Sequence, residues 1–130
     1  IIEARSKPII FITSNREKGD LPEPFLRRCL YFYVEFPGKD ELKKIIAEHA
    51  KVKNATAPAG DLLDAALDRF EEARDAARAK RPGTSEFLDW MKSLQTFDGA
   101  PYPAAKLAGD EGLPFPETLF KTREDFERWR

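Results

Sequence analysis

The chain has 130 residues, 42% of them hydrophobic and 35% charged, with a formal net charge of −1. That length suits one domain or a piece of one joined to another, and such a chain buries roughly two-thirds of its unfolded surface. The near-neutral balance argues against a strong pull toward nucleic acid or anionic membrane. No run of about 18 apolar residues offers a membrane span, and no signal peptide is expected. The single cysteine, Cys29, cannot make an intrachain disulfide, and its apolar setting reads as an inert core thiol in a reducing, cytoplasmic compartment. Ile1 stands where Met would, just before a hydrophobic run, so an internal cut with residues upstream is expected.

The run Lys7-Pro8-Ile9-Ile10-Phe11-Ile12-Thr13 is nearly continuous in apolar residues and leads into Ser14-Asn15-Arg16-Glu17. It predicts a strand buried on both faces, the kind found in parallel sheets covered by helices. Lys18-Gly19-Asp20 is turn chemistry. The prolines of Leu21-Pro22-Glu23-Pro24 allow one short helical turn before Arg27-Arg28-Cys29. From Leu30 to Phe36 the pattern alternates, with Leu30, Phe32, Val34 and Phe36 on one face, and predicts a second strand that Pro37-Gly38 breaks.

From Lys39 the period changes to that of helices. The first places Leu42, Ile45, Ile46 and His49 on one stripe. A loop follows over Asn54 to Gly60. The second runs from about Asp61 to Lys80, and Arg81-Pro82-Gly83 ends it. The third starts at Thr84 or Ser85, either of which could cap it, and groups Phe87, Leu88, Met91 and Leu94. Gln95 to Pro116, with its prolines and glycines, predicts irregular structure. A last short helix is expected over Arg123 to Arg130. Two strands do not make an independent sheet, so the strand-rich piece needs partners from elsewhere.

The segment Pro8-Ile9-Ile10-Phe11-Ile12-Thr13-Ser14-Asn15 resembles the sensor-1 strand of AAA+ ATPases, in which a polar strand tip stands beside the γ-phosphate. Leu21-Pro22-Glu23-Pro24-Phe25-Leu26-Arg27-Arg28 resembles the family's Leu-Pro-Glu-Ala stretch and its finger arginine. Arg28 matches the finger position, and Arg27 stands where many relatives have Asp. A finger arginine suits phosphoryl transfer because a planar, permanently charged guanidinium holds two phosphate oxygens at once. Arg81-Pro82-Gly83-Thr84-Ser85-Glu86-Phe87-Leu88-Asp89-Trp90 looks very like the Lys/Arg-Pro-Ser-Thr-Ser-Glu-Leu-Leu-Asp-Trp stretch of MoxR-type members. Leu113-Pro114 to Leu119-Phe120-Lys121-Thr122-Arg123-Glu124-Asp125 fits the tail of these proteins.

The resemblance implies an α/β plus α fold: the end of a P-loop AAA+ α/β subdomain over 1–37, then a helical lid over 38–130 with an irregular tail. It implies Asn15, Arg28 and Arg27 as catalytic residues. The lid's usual sensor-2 arginine is missing where the third lid helix opens Thr84-Ser85-Glu86, so Lys80 or Arg81 would take the nucleotide instead, unless both only favour the end of the preceding helix. Thr84, Ser85 and Glu86 read as capping chemistry rather than as nucleotide contacts. No GxxxxGK[ST] loop and no acidic Walker B strand end occur in the sequence. The implied cofactors, ATP and Mg2+, therefore belong to the longer protein, and this chain alone is expected neither to bind them tightly nor to hydrolyse ATP. The implied assembly is a ring of identical subunits, a hexamer by the family pattern, that remodels protein partners, with a von Willebrand A-domain protein among them. The other reading is a non-catalytic assembly or adaptor module. A nucleic-acid motor is disfavoured by the charge. No metal site of the chain's own is expected, because Cys and His clusters are lacking.

Overall fold

A computed structural model describes residues 6, 8–14, 19, 21–109 and 112–129. It divides into two units, 1–35 and 36–130.

The first unit departs from the expected α/β architecture. Its regular element is α1, Glu23–Leu26, with Pro24 in its first turn. No strand occurs among the described residues. The runs read as buried strands stand in solvent instead: Phe11 is 90% exposed and Phe32 84%, with Ile9, Ile10, Ile12, Leu30, Tyr31, Tyr33 and Val34 exposed around them. The physical reason is that a strand is held by neighbours that take its N–H and C=O groups and cover its faces. The described residues supply neither. Cys29 is likewise exposed and not a core thiol.

The second unit closes a core of its own. Helix α2, Lys39–Val52, buries Leu42, Ile46 and Ala50, with Asp40 and Glu41 in its first turn and His49 and Lys51 in its last. Those charges complement the helix dipole. His49, expected on the apolar stripe, is exposed, and Ala50 takes the inward position. Helix α3, Gly60–Ala76, buries Leu62, Ala66, Leu67, Phe70 and Ala73. The lysines of α2 meet the acids of α3 in reverse order. Lys39 Nζ lies 2.6 Å from Asp68 and 3.0 Å from Glu71, and Lys43 Nζ lies 2.6 Å from Asp64.

Helix α4, Thr84–Gln95, buries Phe87, Trp90, Met91 and Leu94. The rings of Phe70 and Phe87 stand 4.5 Å apart between centroids, and Phe87 touches Trp90 in turn. Trp90 is fully buried, and its indole N–H donates to the Pro114 carbonyl at 2.7 Å. Burying each such aromatic side chain stabilises by about 1.5–3 kcal/mol. The cap of α4 is not Thr84 or Ser85. The N-cap residue is Gly83, whose N–H donates to the Glu86 carboxylate at 3.0 Å. That is the return half of a capping box.

The stretch expected to be irregular, Gln95 to Pro116, holds two short helical pieces, and a third opens at its last residue. A 3-10 turn spans Phe97–Gly99, and Asp98 and Gly99 both have positive φ, 42° and 79°. Glycine fits there because a side chain at that φ is strained. The reversal lets the Tyr102 N–H donate to the Leu94 carbonyl at 2.7 Å. Helix α5, Ala104–Leu107, buries Leu107, and α6, Pro116–Leu119, buries Leu119. Helix α7 is Arg123–Trp129. The most extensive backbone contacts between helices are those of α3 with α5 and of α4 with α6.

Candidate functional site

Of the residues expected to serve a nucleotide, Asn15 lies outside the described residues. Arg27 and Arg28 close α1. Arg27 pairs with Glu23 one turn back, with both side chains about three-quarters exposed (75% and 74%). The Arg28 guanidinium donates to the Pro24 carbonyl. An exposed pair of this kind contributes between zero and about 1 kcal/mol, so it holds Arg27 only loosely. Both guanidinium groups are free to exchange these contacts for a stronger anion.

Lys80 and Arg81 belong to the α3–α4 linker, residues 77–83, and here the geometry is built. Periodicity carries α3 on to Lys80, yet the helix stops at Ala76 and Ala77 leaves it with ψ 128°. The next backbone N–H groups do not return to carbonyls of α3. Arg78 donates to Asp125 Oδ1 at 2.8 Å, Lys80 to Oδ2 at 2.9 Å, and Ala79 to both oxygens at 3.3 and 3.2 Å. The Thr122 hydroxyl donates to Oδ2 at 2.9 Å. From the same helix α7, the Arg128 guanidinium donates to the Ala76 carbonyl at 3.0 Å. One short helix therefore takes both the free N–H groups beyond α3 and its last carbonyl.

Among the described residues, Asp125 is the buried charged one, 2% exposed. Burial alone would raise its carboxyl pKa. The N–H groups of Arg78 and Lys80, the Thr122 hydroxyl and the N–H of Ala79 outweigh it and hold the pKa down to about 2.

The far end of the linker is held by Arg74. Its guanidinium donates to the Pro82 carbonyl at 2.5 Å and lies 3.3 Å from the centre of the Phe36 ring. Its pKa falls below the usual range, first through burial and then through the neighbouring charge of Arg81, with Asp75 opposing. Lys80 and Arg81 are both exposed. Arg81 is near enough to Arg74 for their charges to repel, and Lys80 and Arg81 precede Gly83, the N-cap of α4, in the chain. Cations of this type can hold the oxygens of an anion.

Lys80 and Arg81 carry charge of the sign that the phosphates of the implied nucleotide require. For Mg2+, no group of three or more His, Cys, Asp or Glu side chains comes together among the described residues. Two shallow depressions lie near the clasp. One is lined by Arg78, Glu124, Asp125 and Arg128, the other by Glu72, Asp75, Ala76, Arg128 and Trp129. Neither includes Lys80 or Arg81, and both are open surfaces of mixed charge.

Sequence reasoning missed Asp125 and Arg74. The pattern Thr122-Arg123-Glu124-Asp125 is a legible capping box, and the Asp125 N–H does approach Thr122 Oγ1 at 3.4 Å. The partners 45 to 47 residues away left no local sign. Arg74 reads as one more charge on a helix. No helix among the described residues is long and apolar enough to cross a membrane. The chain matches no protein-family model, no curated protein and no solved structure, so the likeness to MoxR-type ATPases rests on the residues quoted for it.

Proposed function

We propose that this chain works within a ring-forming, ATP-hydrolysing protein of the MoxR type that remodels protein partners, with the helical unit 36–130 as its nucleotide-facing lid. The observation that carries this reading is the α3–α4 linker, a clamped backbone from which Lys80 and Arg81 project into solvent beside α4. The stretch that resembles the family, Arg81 to Trp90, begins in that linker and runs on into α4. In this reading Lys80 and Arg81 take the phosphates of their own subunit's ATP. Arg28, with Arg27 beside it, reaches the nucleotide of the neighbouring subunit, and Asn15 helps place the attacking water. ATP and Mg2+ are the cofactors. The ring, a von Willebrand A-domain partner and a cytoplasmic site belong to the same proposal.

A second reading is a non-catalytic assembly module. The exposed apolar side chains of Ile9 to Ile12 and Leu30 to Val34 favour it, because so much bare surface suits a partner chain.

Steady-state turnover in the full-length ATPase that contains this chain separates the two. Arg28→Ala is expected to lower kcat by about a thousandfold while ATP still binds, the scale of a lost arginine finger. Normal turnover in both Arg27→Ala and Arg28→Ala would end the finger assignment. Absence of any ATP turnover by the unaltered protein would favour the assembly module.

A further inference from the structure

We infer that Asp125 is a positioning residue for Lys80 and Arg81: by accepting three consecutive backbone N–H groups of the α3–α4 linker, it fixes the main chain from which those two cations project. This role rests on the proposed nucleotide-facing function.

The argument begins with what the linker lacks. Beyond Ala77 its N–H groups have left the helix, and donors withdrawn from solvent must be satisfied elsewhere. A solvated loop of this length would sample many conformations, with a cost of ordering for each residue that has to be fixed when a ligand binds. Here that ordering is already done. Asp125 holds 78–80 at one end through contacts of 2.8 to 3.3 Å. At the other end Arg74 holds the Pro82 carbonyl, and the Glu86 carboxylate holds the Gly83 N–H. Lys80 and Arg81 lie between the two clamps with their side chains exposed.

The carboxylate itself is locked. It is buried, it receives the Thr122 hydroxyl, and Arg128 anchors the same helix to the Ala76 carbonyl. Its charge is spent on the backbone amides rather than on a side-chain cation. The nearby cations are therefore left for a ligand that carries several negative charges, and a polyphosphate meets that description. Preorganisation of this kind raises affinity by lowering the ordering cost without adding a contact.

The test uses the whole chain, labelled with nitrogen-15, and inorganic triphosphate as the probe. The amide signals of Lys80 and Arg81 are followed as triphosphate is added. In the unaltered chain they should move together and saturate. Asp125→Asn keeps the shape but removes the charge, and should weaken binding by about two- to tenfold. Leu119→Ala serves as the control. It opens the core at a residue 1% exposed that makes no hydrogen bond to the linker, so it lowers thermal stability and should leave the affinity unchanged. Equal affinity in Asp125→Asn and the unaltered chain overturns the positioning role and leaves the nucleotide reading standing. An equal loss in Leu119→Ala overturns it too, since loosening anywhere would then suffice. If triphosphate moves neither amide in the unaltered chain, the nucleotide-facing reading of the linker falls, and this role with it.

Discussion

The Asp125 carboxylate accepts the backbone N–H of Lys80, 45 residues earlier, with Oδ2 2.9 Å from the nitrogen. This bond and its neighbours end α3, seat α7 and shape the linker at once. A contact that serves three elements has consequences for stability that a surface ion pair does not.

The first concerns acid. The Asp125 carboxyl titrates at about 2 in the folded chain and near 3.9, roughly, when unfolded. The unfolded chain therefore binds the proton more tightly, and each proton taken up favours unfolding. The stabilisation is complete above about pH 4 and is lost as pH falls through about 2. Asp125→Asn should be less stable at neutral pH by about 1–3 kcal/mol, with a flatter dependence between pH 4 and 2. Urea unfolding of both proteins across that range checks it. Parallel curves would mean that the carboxylate is not the group that responds.

The second contrasts core with surface. Phe70 is fully buried and packs on Phe87, whereas Arg27 and Glu23 pair in solvent. Phe70→Ala should cost about 3–5 kcal/mol, mostly through the cavity it leaves. Arg27→Ala should cost less than about 0.5 kcal/mol. Chemical denaturation with circular dichroism as the signal measures both.

The third follows from the division at Phe36. Among the described residues, 36–130 hold every residue of the buried core. A polypeptide of these residues should keep its helical signal and melt cooperatively. The full chain should bind a hydrophobic dye and associate with rising concentration, through side chains such as Phe11 and Phe32. The shorter one should do neither. Sedimentation and dye fluorescence of the two proteins decide this.

The helices were legible because each presents an apolar stripe that repeats without outside help. Leu42, Ile46 and Ala50 recur every four residues, and Phe87, Trp90, Met91 and Leu94 at intervals of three, one and three. The strands were misread because β-branched residues at Ile9 to Ile12 describe a preference, whereas a sheet needs neighbours that the local sequence does not contain. The end of α3 was misplaced for a related reason. Periodicity runs on through Ala77, but Asp125 competes for the next N–H groups, and a competitor so far along the chain leaves no local trace. Of the candidate site, the cations Lys80 and Arg81 could be named from their place before α4. The carboxylate and the guanidinium that clamp their backbone emerged only from the folded arrangement.

The lysines of α2 also bear on how the second unit assembles. Lys39 meets Asp68 and Glu71, while Lys43, further along, meets Asp64, further back. These exposed pairs add little to the depth of the native well. Their order matters more, because it matches the two helices only when they run in opposite directions. The ladder thus works as an address for docking, one that reversing all five charges together would preserve and reversing those of α2 alone would scramble.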